Sequence, residues 1–89
     1  ESASELFIRS NRDFIQNMTE ESVTSVFQPI VRLVDNRIVG YEALGRGLEP
    51  NMPRSPAEMF RRAAVFGMQA NLSELLRRVA VKRVADSIE

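Results

Sequence analysis

Apolar residues recur along this chain with two different periods, and the places where the period changes mark the predicted elements. Residues 2–18 carry Leu6, Phe7, Phe14, Ile15 and Met18 near helical spacing. They stand behind Ser2-Ala3-Ser4-Glu5, which fits a capping box and predicts a first helix. Thr19-Glu20-Glu21-Ser22 breaks that pattern. Two apolar, β-branched stretches follow, 24–34 and 37–45, and read as the strands of a hairpin. A loop over 46–54 is punctuated by Gly47, Pro50 and Pro53. A second helix starts sharply at Ser55-Pro56-Ala57-Glu58, with proline at its first position and Gly67 as its stop. Its apolar stripe is Met59, Phe60, Ala63 and Ala64. A third helix over roughly 69–87 repeats Leu72, Leu75, Leu76, Val79, Ala80 and Val84. These stripes read as core.

The hairpin turn is set by Asn36, which tolerates a left-handed backbone. Val34-Asp35-Asn36 therefore suits a three-residue loop that closes the ladder at Leu33 and Arg37. Counting back along both strands places Gln28 directly opposite Glu42, side chains on one face. A two-residue turn would separate them onto opposite faces. Pro29 offers no ladder donor and belongs at an edge or irregularity. Large apolar residues fall on both faces: Ile30, Ile38 and Leu44 on one, Phe27, Val31, Val39 and Tyr41 on the other. Strands of that kind belong inside a larger α/β architecture.

Glu42 is the main chemical anomaly. The strand Ile38-Val39-Gly40-Tyr41-Glu42-Ala43-Leu44 has no polar face on which a carboxylate is routinely solvated. An unpaired buried carboxylate costs several kcal/mol or more, so this one is expected to meet a metal ion, an arginine or a proton. Arg46 and Arg32 are the arginines in reach for a simple ion pair. Gln28 has two readings of its own, a ligand contact or a structural hydrogen bond.

Composition narrows the chemistry. The chain has 89 residues with 12 basic and 12 acidic side chains, so no overall field recruits nucleic acid or an anionic membrane. The Arg61-Arg62 and Arg77-Arg78 pairs read as solvated helix faces. Cysteine and histidine are both absent. That excludes a disulfide framework, a thiolate nucleophile, a serine–histidine triad and a histidine-based metal site. Any metal would take oxygen ligands, which favours Mg²⁺, Mn²⁺ or Ca²⁺. The apolar runs are too short to span a membrane, and Glu-Ser-Ala-Ser is not the start of a secretory signal. The expected location is cytoplasmic.

Gln28-Pro29-Ile30, followed at family spacing by Gly40-Tyr41-Glu42-Ala43-Leu44 and Arg46, resembles the opening of the EAL domain. That family comprises the cyclic di-GMP phosphodiesterases of bacterial signalling. A looser likeness continues through Ser55-Pro56 and the two helices after it, covering roughly 23–89. The resemblance implies an α/β fold, the N-terminal part of an EAL-type (β/α)8 TIM-like barrel, present here as a hairpin with about three helices. Such a barrel typically needs about 250 residues, so 23–89 corresponds to its first third. Residues 1–22 then form a connector helix from an upstream domain, or a helix packed on the barrel's open end.

By the same resemblance Glu42 is a direct ligand of Mg²⁺ or Mn²⁺, and Gln28, Leu44 and Arg46 line the cyclic di-GMP pocket. The guanidinium of Arg46 suits a phosphate as a permanently charged donor fork. Gly47 departs from the aromatic residue that often follows this arginine, which weakens any claim of a stacking contact. The family's remaining metal ligands, its paired aspartates and its catalytic lysine lie on later strands. The 89 residues alone are therefore expected to be catalytically silent. The implied function is hydrolysis of cyclic di-GMP to linear pGpG by the complete domain. A degenerate domain that senses cyclic di-GMP without turnover is the alternative, and a dimerisation device built on helices 1 and 3 is a third reading. Open strand edges and apolar faces further predict a homo-oligomer, most simply a dimer that joins hairpins edge to edge or exchanges a helix.

Overall fold

The computed structural model describes residues 1–87 as a long antiparallel hairpin seated at one end on three helices. Helix α1 spans Ala3–Gln16, strands β1 and β2 span Val23–Arg32 and Arg37–Gly47, and helices α2 and α3 span Pro56–Ala64 and Gln69–Ser87. A single 3₁₀ turn, Glu20–Ser22, leads from α1 into β1. The architecture is mixed α/β with one two-stranded sheet.

Local chemistry accounts for the boundaries. At α1 the capping box is complete: Glu5 N donates to Ser2 Oγ at 3.1 Å, and Ser2 N donates to Glu5 Oε1 at 3.3 Å. At α2 the Ser55 hydroxyl accepts from Glu58 N at 3.4 Å, and Pro56 takes the first position, where no donor is needed. Gly67 ends that helix at φ 65°, and Met68 N reaches back to Ala63 O at 2.9 Å.

The turn is one residue longer than the Asn36 signal alone suggests. Arg32 pairs with Arg37, so Leu33-Val34-Asp35-Asn36 is a four-residue loop rather than a three-residue one. Asn36 sits at φ 56°, as expected for its left-handed position. Asp35 clamps the loop, accepting from Arg32 at 2.6 Å and 3.0 Å and from Arg37 N at 3.2 Å. A bulge then compensates: the register shifts between Ile30 and Val31, leaving Val39 as the extra residue of β2. Beyond it Ile30 pairs with Gly40 and Gln28 with Glu42. The bulge also pairs Ile38 with Val31, so Ile38 shares Val31's face rather than that of Ile30.

The core lies at the base of the hairpin. Phe14, Val23, Met52, Met59, Ala63, Leu72, Leu75 and Val79 form one buried cluster, with Ile15, Met18, Phe60, Met68 and Leu76 packed against it. Helix α3 covers the Val23–Ser25 side of β1, and two ion pairs from Glu20 to Arg78 and Lys82, each at 3.7 Å, fasten the 3₁₀ turn to it. Helix α1 is pinned through Phe14, whose ring lies 5.0 Å below the Arg62 guanidinium, and through Asn17 donating to Asn51 O at 3.1 Å. Arg62 is thus half-buried and structural, a correction to its reading as a solvated residue.

Met52 in the loop is fully buried, and Gly47 is wedged beside it. A Cβ on Gly47 would overlap the Pro53 carbonyl, so packing requires glycine where the resemblance leads one to look for an aromatic residue. The distal half of the hairpin has no such support. Leu33 and Val34 at its tip are 90% and 93% exposed. The radius of gyration is 16.2 Å, against about 12 Å for a compact chain of this size.

Candidate functional site

The strand pleat sorts the candidate residues. Glu42, Leu44 and Arg46 alternate along β2 onto one face, and their partners on β1 are Gln28, Val26 and Thr24. All four residues singled out by the sequence, Gln28, Glu42, Leu44 and Arg46, therefore share one side of the sheet. Helices α2 and α3 gather at the base and on the opposite side, against Val23, Ser25, Gly45 and Gly47. Gly45 marks that close approach, since a Cβ there would stand 2.8 Å from Leu76 Cδ2.

Glu42 is exposed, which corrects the expectation of a buried carboxylate. The reason is tertiary: α3 reaches this face only at its base, where Arg83 donates to Thr24 at 3.1 Å, so Glu42 and its apolar neighbours further along are exposed. Val26 is 42% and Ile30 49% exposed on that face. Neither ion pair considered from the sequence forms. Arg32 is engaged by Asp35, and Arg46 Nη1 donates to the Gly45 carbonyl at 2.8 Å. Among the described residues Glu42 joins no salt bridge and Gln28 makes no side-chain hydrogen bond. Both are free to meet a ligand.

The donor set suits a hard divalent cation in kind and falls short in number. Glu42 contributes a carboxylate and Gln28 an amide oxygen, the oxygen donors such ions prefer. No group of three or more Asp, Glu, His or Cys residues converges among the described residues. An ion at Glu42 would need its other ligands from outside this set. Leu44 and Arg46 are half-buried and reach the rim of a cavity of about 420 Å³ between β2 and the two C-terminal helices. Phe60, Leu76 and Ala80 form its apolar side, and Ser73 and Arg77 stand at its polar side.

Ser25 was not legible as a site residue. It is 1% exposed, lines this cavity, and its hydroxyl has no hydrogen-bond partner among the described residues. Only the pairing of Ser25 with Gly45, beneath α3, distinguishes it from any other strand serine. Arg77 lines the cavity as well, whereas Arg78 pairs with Glu74 at 3.6 Å.

The Arg32 guanidinium holds the Asp35 carboxyl below its ordinary range, and Arg61 does the same to Glu58. Asp35 clamps a turn and Glu58 a helix start. Comparison with family models, with curated proteins and with solved structures finds no match to this chain. Among the described residues no helix is long and apolar enough to cross a membrane.

Proposed function

We propose that this chain serves cyclic di-GMP signalling, as the N-terminal part of a metal-dependent EAL-type phosphodiesterase that hydrolyses cyclic di-GMP to linear pGpG. One observation carries the reading: the Gln28–Glu42 pair stands on one open face, with Leu44 and Arg46 following on the same side. Those are the residues of the two motifs that resemble the family, gathered by a register that a single-residue slip would scatter.

In this reading Glu42 holds a Mg²⁺ or Mn²⁺ ion, together with ligands beyond this face. The bound ion supplies an activated water and offsets phosphoryl charge. Gln28 orients the nucleotide by hydrogen bonding across the hairpin. Arg46 keeps one guanidinium nitrogen on Gly45 O and presents its remaining donors to a phosphate oxygen. Leu44 offers an apolar wall beside them.

A second reading is a degenerate domain that binds cyclic di-GMP without turnover. The acidic ligands that the resemblance puts on later strands separate the two readings: an intact set favours turnover, and its loss favours sensing. The test is nucleotide analysis of cyclic di-GMP incubated with Mg²⁺ and the complete gene product containing these residues. Release of pGpG, lost in Glu42→Ala, supports the phosphodiesterase. Saturable binding without release supports the receptor. Neither binding nor release sinks both.

A further inference from the structure

Strand pleat and helix period together shape the cavity beside β2. Ala43 and Gly45 of β2 and Ser25 of β1 stand on the sheet face toward α3, and their small side chains keep the floor low. Ser73, Leu76, Arg77 and Ala80 recur at i, i+3, i+4 and i+7, so one side of α3 fronts the cavity. Leu72, Leu75 and Val79 of the same helix belong to the core instead. Pro56 and Phe60 contribute the α2 side. The volume of about 420 Å³ falls within the roughly 300–1,000 Å³ of small-molecule sites.

The polar groups of this cavity lack partners. Ser25 is 1% exposed, and its hydroxyl meets neither donor nor acceptor among the described residues. A buried polar group left unpaired is costly, so an occupant that brings a hydrogen-bonding atom is favoured. Arg77 joins no salt bridge among the described residues, and neither does Arg46, which holds the Gly45 carbonyl at the cavity's edge. No carboxylate lines the cavity, so two guanidinium charges stand there without a counter-charge. A permanently charged, forked donor selects a carboxylate or a phosphate. Phe60, Leu76 and Ala80 offer only apolar contact, which a hydrated inorganic ion does not use. Charge on one side and apolar surface on the other define the occupant as an organic anion.

We propose that the cavity between β2, α2 and α3 binds a compact organic anion, an apolar body ending in one carboxylate or phosphate. Arg77 receives the anionic head, and Ser73, one turn before it on α3, adds a hydroxyl donor. The Ser25 hydroxyl bonds the occupant from the floor, and Phe60 and Leu76 hold its apolar body. The floor faces α3, on the opposite side of the sheet from Gln28 and Glu42. The site meets their face only through Leu44 and Arg46, and it stands whether or not the cyclic di-GMP reading does.

Amide NMR titration of the full chain with benzoate and with phenyl phosphate, in the absence of metal and nucleotide, tests the proposal. Benzyl alcohol and inorganic phosphate serve as the body alone and the charge alone. Saturable shifts are expected at Ser25, Gly45 and residues 73–80 with at least one organic anion, about tenfold tighter than with either control. The better of the two probes names the head group, and either one supports the site. Arg77→Gln should weaken this binding about tenfold. Arg78→Gln is the matched control, because Arg78 pairs with Glu20 and Glu74 outside the cavity, and it should bind as the wild type does. Ala80→Leu fills the cavity and should abolish binding, with circular dichroism confirming that the helices remain. Ser25→Ala should weaken binding severalfold without lowering the melting temperature, since its hydroxyl has no partner in the fold. Absence of saturable binding by both organic anions overturns the site. Equal binding of benzyl alcohol or of inorganic phosphate overturns the joint recognition of charge and apolar body. An affinity indifferent to Arg77→Gln or to Ala80→Leu puts the probe elsewhere and overturns it as well.

Discussion

Gln28 and Glu42 face each other across the hairpin, and the bulge at Val39 is what keeps them in register. A four-residue turn without that extra residue in β2 would slide one strand by a single position. Every side chain between turn and base would then change faces. The site candidates depend on two compensating irregularities toward the tip, on the far side of Gln28 and Glu42 from the packed core.

Asn36 is the first place to test this. Its φ of 56° costs an ordinary L-residue roughly 1–2 kcal/mol. Asn36→Gly should leave the thermal midpoint nearly unchanged, whereas Asn36→Ala should lower it and raise amide exchange across residues 30–40. Equal protection in both variants would mean that the turn does not set the register.

Acid should loosen the same turn. Arg32 holds the Asp35 carboxyl below its ordinary value, so near pH 4 the unfolded hairpin binds more protons than the folded one. The contribution of Asp35 is therefore complete above the ordinary carboxylate range, and is lost as pH falls through the lowered folded value. Tip amide protection factors, in which the intrinsic pH dependence of exchange is divided out, should fall across that window in the wild type and stay flat in Asp35→Asn.

Glu42→Ala separates function from stability. Because Glu42 is exposed and joins no salt bridge among the described residues, the substitution should shift unfolding by less than about 0.5 kcal/mol. In the complete phosphodiesterase proposed above, the same change should cut metal-dependent turnover of cyclic di-GMP by orders of magnitude. Near-normal turnover would remove Glu42 from the ligand set.

Gly47→Ala should do the opposite, acting on the fold first. The added methyl meets the Pro53 carbonyl, a backbone atom that cannot rotate aside. Overpacking of this kind costs roughly 1–3 kcal/mol, enough to lower the melting temperature by several degrees. Gly45→Ala meets only the end of the Leu76 side chain and should cost less. Calorimetry of the two variants side by side checks the order.

What the sequence determined by itself was local. Caps at Ser2 and Ser55, the stop at Gly67 and the left-handed Asn36 are set by chemistry within a few residues, and all are present where the pattern placed them. The pairing of Gln28 with Glu42 was legible too, although through a three-residue turn that proved to be four residues and a bulge. Burial was decided by tertiary structure. The apolar context of Glu42 pointed inward, but solvent exposure depends on which helix lies over which face, and α3 lies over the other one. The same holds for Met52, a loop residue that became core, and for Arg62, drawn onto Phe14 from a helix far along the chain. A one-dimensional pattern records how apolar a segment is, and only packing decides where the water goes.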